Sequence, residues 1–263
     1  MRAFYFIVLL TSITTNAQNY LDFYFKSRGV KGGIIIQSDT GDYIAFSDDF
    51  EGNKPSPPAA TFHMFSYLMV HDYLPQFITE EYQWDGVPRY FFNKKQPHWN
   101  SDTNLSEAFV YKNDWFFQEM YQLIPQDVFK NKLKESKFTH VQWNNDIPYF
   151  WQFGGLMATP DQQIQFLKKL TRLELPFSIQ AQNKLIHLLK IEESPQLKIS
   201  GFEGYTVWNG ARLEWFVGYI EKEDKKYFFS TRTFFSIEEE WNDEKSKEKF
   251  LITSQIFSVL GLI

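Results

Sequence analysis

Pro58-Ala59-Ala60-Thr61-Phe62-His63 stands where a turn-rich run, Glu51 to Pro57, gives way to an apolar helical pattern, Phe62-Met64-Phe65-Leu68-Met69. A helix start gathers unsatisfied backbone N–H groups and the positive end of a dipole. It is therefore a good place for a nucleophile or a bound anion. This one offers neither a hydroxyl nor a thiol at its second helical residue, because Ala60 carries only a methyl group. His63, three residues on, shares the face of Ala60. Thr61 does have a hydroxyl, but one step along a helix turns it about 100° to another face.

Around that helix, which the pattern ends near Tyr73 and Pro75 closes, the chain reads as β, then α, then β, then α. Tyr20, Phe23, Tyr24 and Phe25 have helical spacing, with Gly29 as the stop. Gly32 to Gln37 and Tyr43 to Phe46 flank Asp39-Thr40-Gly41-Asp42 and predict a β-hairpin. Helices are expected over Leu105–Tyr121, Pro125–Leu133, Gln162–Leu173 and Ile179–Leu189. Lys198–Gly201, Tyr205–Trp208, Leu213–Ile220 and Tyr227–Phe234 read as strands, and Glu244–Leu260 as a closing helix. Glu192-Glu193 and Glu238 to Glu240 read as solvated acidic runs. With no repeat or interdomain linker, the pattern implies one α/β unit.

Composition excludes several functions. A net charge of −5 argues against nucleic acid or an anionic membrane surface as partner. The chain has no cysteine, so neither disulfides nor thiol chemistry are available. Its five histidines, 63, 71, 98, 140 and 187, have no metal-ligand spacing, and no cofactor motif is visible. The 28 Phe residues predict a core packed by rings. Residues 1–17 read as a secretory signal: Arg2, an apolar run from Ala3 to Ile13, then Thr15-Asn16-Ala17. That run is too short to span a bilayer, which needs about 20 residues. The expectation is an exported protein, periplasmic or secreted, comprising residues 18–263 and no transmembrane segment.

Pro58 to His63 resembles the P-A-S-T-F-K signature of class D β-lactamases, relatives of the penicillin-binding transpeptidases. Trp84-Asp85-Gly86 with Arg89 is similar to the family's W-D-G-x-x-R segment, and Trp99-Asn100 with Asp102 and Leu105 to the approach to its second catalytic motif. Phe150-Trp151 with Gly154 and Pro160 resembles F-W-x-x-G; Leu175 to Ser178 and Trp215 to Tyr219 resemble family runs in the same order. The resemblance covers nearly all of residues 18–263. It implies an α/β (α+β) fold, an antiparallel sheet flanked by helices plus an all-helical lobe, with the active site in the cleft between.

It also implies catalytic positions, and here the residue types depart from the pattern. Ala60 replaces the acylating Ser, and His63 the Lys that acts, carbamylated, as general base. Trp151 falls where the family has a Trp covering that Lys; packing is its expected role here. Lys112 and Asp114, in Tyr111 to Trp115, take the Ser and the apolar residue of S-x-V. Phe202 and Glu203, before Gly204, take the Lys and Thr of K-T-G. Lys249 falls where relatives carry an Arg for the substrate carboxylate. A carboxylate at 203 should repel anionic ligands, since like charges ~4 Å apart cost about 4 kcal/mol at an effective dielectric near 20. The expectation is a catalytically inactive relative that binds an unknown small molecule or cell-wall-related ligand in its cleft. The alternative is a weak β-lactam or amide hydrolase using His63 or Lys112. Separately, His63, Lys112, Asp114 and Glu203 are candidates for a new charged site in the old cleft.

Overall fold

The computed structural model describes residues 20–47, 54–92, 94–139, 143–144, 146–238 and 243–263. The signal-like segment 1–17 and His140 lie outside these. At the centre is a six-stranded sheet of order β2-β1-β8-β7-β6-β5, with every neighbouring pair antiparallel. Its strands are β1 (Lys31–Ser38), β2 (Tyr43–Phe46), β5 (Lys190–Glu193), β6 (Leu197–Trp208), β7 (Ala211–Lys222) and β8 (Lys225–Ser236). One face carries the N-terminal helix α1 (residues 20–26) and α8 (Asp243–Val259), sealed by Leu21, Phe25, Ile34, Phe229, Ile252 and Ile256. Against the other face stands a helical lobe of α2 (His63–Tyr73), α3 (Leu105–Val110), α4 (Asp114–Leu123), α5 (Gln126–Ser136), α6 (Pro160–Thr171) and α7 (Ile179–Leu188). The expected architecture is the one observed.

The core of the lobe is aromatic, as 28 Phe foretold. Phe62 stacks on Phe65 with centroids 5.3 Å apart and meets Phe138 edge-on at 5.3 Å and Phe150 at 5.6 Å. Such pairs add about 0.5–1.5 kcal/mol each beyond the area they bury. Helix α2 is buried from His63 to His71, its polar His63, Ser66 and His71 included, so it presents no solvent face over that length.

Four elements differ from expectation. The helix expected from Pro58 begins as a 3-10 turn, Ala59–Phe62, before α2. Leu105–Tyr121 is two helices: Lys112 lies at φ +52°, and Asn113 caps α4 by accepting the Phe116 N–H at 3.3 Å. Lys198–Gly201 and Tyr205–Trp208 are parts of the one strand β6. Lys190–Glu193, around the run read as solvated, is the edge strand β5; its side chains are exposed and its pairing is carried by backbone. The β7–β8 turn is formed by Glu223 and Asp224, both at positive φ as a type I′ hairpin requires. A separate hairpin, β3 (Tyr90–Phe91) and β4 (Lys94–Lys95), lies over the boundary between sheet and lobe.

Candidate functional site

The turn that opens α2 is held under strain. Ala59 is fully buried at φ +53°, a conformation costing a non-glycine residue of the order of 1–3 kcal/mol. Its N–H donates to the Trp151 carbonyl at 3.0 Å. The Thr61 hydroxyl donates to the Pro58 carbonyl at 2.6 Å, and the Trp215 indole to the Pro57 carbonyl at 2.9 Å. Strand β6 closes on this turn so tightly that a Cβ at Gly204 would sit 2.6 Å from the Ala60 nitrogen. Only glycine permits that approach. The turn thus holds residue 60 against β6, and that residue is an alanine with 5% of its surface exposed.

Beneath it is a buried polar cluster centred on Asp114. The carboxylate accepts the Trp151 indole N–H on Oδ1 at 2.7 Å and the Gln152 amide on Oδ2 at 2.9 Å. His63 Nε2 lies 2.9 Å from Oδ1. The imidazole is fully buried against Phe117, ring centroids 4.3 Å apart, and neither of its nitrogens makes a well-aligned hydrogen bond. Three protein groups therefore converge on one carboxylate with almost no access to solvent. Trp151 is not simply packing, as the sequence suggested; its indole N–H fixes Asp114.

On the sheet side, five charges form a chain. Lys112 Nζ donates to Glu203 Oε1 at 2.8 Å, and Lys249 Nζ lies 2.7 Å from Glu203 Oε2. Lys249 also reaches Glu214 Oε2 at 2.9 Å and the Ser246 carbonyl at 2.8 Å, and Glu214 pairs with Arg212. Burial would raise the Glu203 pKa, but the attraction of Lys249 and then Lys112 outweighs it and holds the group at about 2. For Glu214 burial wins, and its pKa is raised despite Lys249 and Arg212. Burial lowers the Arg212 guanidinium to about 10, which leaves it charged at neutral pH. The expectation that Glu203 repels anions is thereby overturned. Its carboxylate is neutralised by two ammonium groups, which it occupies as a ligand carboxylate would. Phe202 faces the lobe, stacked on Phe109 with centroids 4.2 Å apart.

The eight positions singled out in the sequence thus fall into two clusters. Ala60, His63, Asp114 and Trp151 surround the turn. Lys112, Glu203 and Lys249 share one ionic chain, with Phe202 beside it. His63 and Glu203, both on the expected cleft, pair with different partners. The sequence reading missed Gln152, Arg212 and Glu214. Arg212 and Glu214 had a signal: charged residues two apart in an otherwise apolar strand share a face and must be paired if buried.

The β3–β4 hairpin divides what remains of the cleft. Phe91 and Phe92 lie against Tyr205, with centroids 4.8 and 5.9 Å away. On one side is a cavity of about 170 Å³ bounded by Tyr205, Arg212, Phe235 and Lys245. On the other is a cavity of about 230 Å³ bounded by Arg89, Trp99, Asp114, Trp115 and Gln152. Among the described residues no cluster of His, Asp or Glu could hold a metal ion, and no helix is long and apolar enough to cross a membrane.

Known proteins share this architecture. A model of the penicillin binding protein transpeptidase domain matches residues 51–233. The methicillin resistance protein mecR1 of Staphylococcus aureus is 25% identical over 255 residues, which are 96% of this chain and 41% of that protein. The chain therefore spans about two fifths of the length of that relative. The crystal structure of a class D β-lactamase from Sebaldella termitidis superposes with a TM-score of 0.83 at 26% identity, covering 93% of this chain and 96% of the other. The C-terminal domain of the Bacillus licheniformis BlaR penicillin-receptor superposes with a TM-score of 0.77 over 92% of this chain and 95% of its own, and at 24% identity that likeness is one of fold.

Proposed function

We propose that this chain, which belongs to the penicillin binding protein transpeptidase family, is a member that neither acylates nor hydrolyses β-lactams and serves as an exported binding module. One observation carries the reading: residue 60, in the strained turn that opens α2, is Ala60, and a methyl group cannot attack a carbonyl. The rest of the cleft supports it. His63 is fully buried beside Asp114, so no water reaches its ring. Lys112 and Lys249 are engaged by Glu203 and are not free to hold a substrate anion. Export is inferred from residues 1–17 alone. The relatives include a penicillin-receptor as well as β-lactamases, so binding is a role already represented among them.

Intact-mass measurement after incubation with saturating benzylpenicillin tests this directly. The expected mass is that of the unmodified protein; a stable adduct of one penicillin mass on residues 58–63 would sink the reading.

Restoring the nucleophile alone should not restore turnover. In Ala60→Ser the new hydroxyl would adjoin an imidazole already against Asp114 and an anion site already filled by Glu203. Catalytic groups that act as a unit are non-additive, so returning one recovers little. A chromogenic cephalosporin should remain at its background rate with this variant. Rapid turnover would mean that His63 and Asp114 are a working base and orienting pair.

A further inference from the structure

The cavity between Arg89 and Asp114 has walls and floor of different chemistry. Its walls are rings, Tyr90, Trp99, Trp115, Tyr149 and Phe153, around about 230 Å³. Its floor is polar and consists of Asp114, whose side chain is 4% exposed, and Gln152. Gln152 gives its amide N–H to Asp114 Oδ2, and the reverse orientation would set an amide oxygen against a carboxylate oxygen. The Gln152 Oε1 is left buried with no hydrogen-bond partner among the described residues. The floor thus offers the Asp114 carboxylate and the unpartnered Gln152 Oε1 as acceptors.

The cation at the mouth is already compensated. Arg89 grips Asp85 with both arms, Nη1 to Oδ1 at 2.5 Å and Nη2 to Oδ2 at 2.7 Å, while its guanidinium covers the Trp115 ring 4.5 Å from the centroid. That bond holds the Asp85 carboxyl down at about 2. A ligand entering past Arg89 therefore meets aromatic faces first and the Asp114 carboxylate last. Aromatic faces attract cations, and a buried carboxylate attracts donors and repels anions.

The geometry points to an aromatic amine as the ligand of this cavity: a planar ring body among the tryptophan, tyrosine and phenylalanine walls, with its amino end toward Asp114 and Gln152. This assignment rests on that part of the proposed function which makes the cleft a binding site, and not on whether residue 60 acylates. It is the reverse of an anion site, in a cavity whose mouth carries an arginine.

Tryptamine and indole-3-acetate separate the possibilities, because they share an indole and differ in the charge of the other end. Titration of the ¹⁵N-labelled protein with each, followed by NMR at the Trp99 and Trp115 indole N–H signals, gives both affinities. Tryptamine should bind at least about tenfold more tightly than indole-3-acetate. Phe153→Ala removes a wall that is 50% exposed, so the fold should melt unchanged while tryptamine affinity falls by about threefold or more. Equal or tighter binding of indole-3-acetate, binding of neither compound, or indifference to Phe153→Ala would overturn the assignment. A penicillin adduct, by contrast, would remove the non-acylating reading and leave the amine preference standing.

Discussion

Asp114→Ala should cost the protein about 2–6 kcal/mol of stability, because two buried donors lose their acceptor at about 1–3 kcal/mol each. The loss has an identifiable source. Trp151 Nε1–H and the Gln152 amide both donate to this carboxylate, and the His63 ring lies beside it. Each buried donor left unsatisfied costs about 1–3 kcal/mol. Asp114→Asn keeps the shape but offers one carbonyl where two carboxylate oxygens stood, so its loss should be smaller than that of alanine. Urea denaturation of the three proteins gives the ordering. If alanine costs under about 1 kcal/mol, as at an exposed site, the cluster is not the anchor of the turn.

The consequence for function follows from where that anchor sits. Trp151 holds Asp114 through its indole and holds Ala59 through its carbonyl, so one residue connects the buried carboxylate to the strained turn. Strain persists only where surroundings over-determine it. The turn at residue 60 is therefore held by its surroundings whatever side chain residue 60 carries. Fold and chemistry have separate physical supports.

That separation explains what the sequence disclosed. The sheet, the lobe and the positions around Ala60 were legible because motifs such as Pro58 to His63 and Trp84 to Arg89 are contiguous, and strand and helix periods are local. The ionic chain was not legible. Lys112 and Glu203 are 91 residues apart and Glu214 and Lys249 are 35 apart, and no local pattern chooses among the many lysines and glutamates of this chain. Lys198–Gly201 and Tyr205–Trp208 read as two strands, whereas β6 runs through both, with Gly204 clearing the turn at Ala60. Asn113 before Asp114-Trp115-Phe116 was a readable cap, and recognising it would have divided α3 from α4.

Lys249→Met should be the second costly substitution, about 3–5 kcal/mol, because it removes the buried cation shared by Glu203 and Glu214 and leaves them only Lys112 and Arg212. Lys249 is 1% exposed, whereas Lys112 and Glu203 are each 30% exposed. Lys112→Met should consequently cost only about 0.2–1 kcal/mol, as surface pairs do. The pH dependence distinguishes lost charge from lost packing. In the parent protein Glu203 has a folded pKa of about 2 against an ordinary 4.5, so its stabilisation is present above 4.5 and is lost as pH falls toward 2. Glu214 has the opposite sign: its raised pKa makes it a cost above its unfolded value, relieved as acid protonates it. Removing Lys249 weakens the first effect and enlarges the second, and both changes penalise the variant most at neutral pH. The gap in melting temperature between parent and Lys249→Met should therefore be widest near pH 7 and narrow steadily toward pH 3. A gap constant across that range would assign the loss to packing of the lysine stem, and the ionic chain would then contribute nothing to holding α8 against β6 and β7.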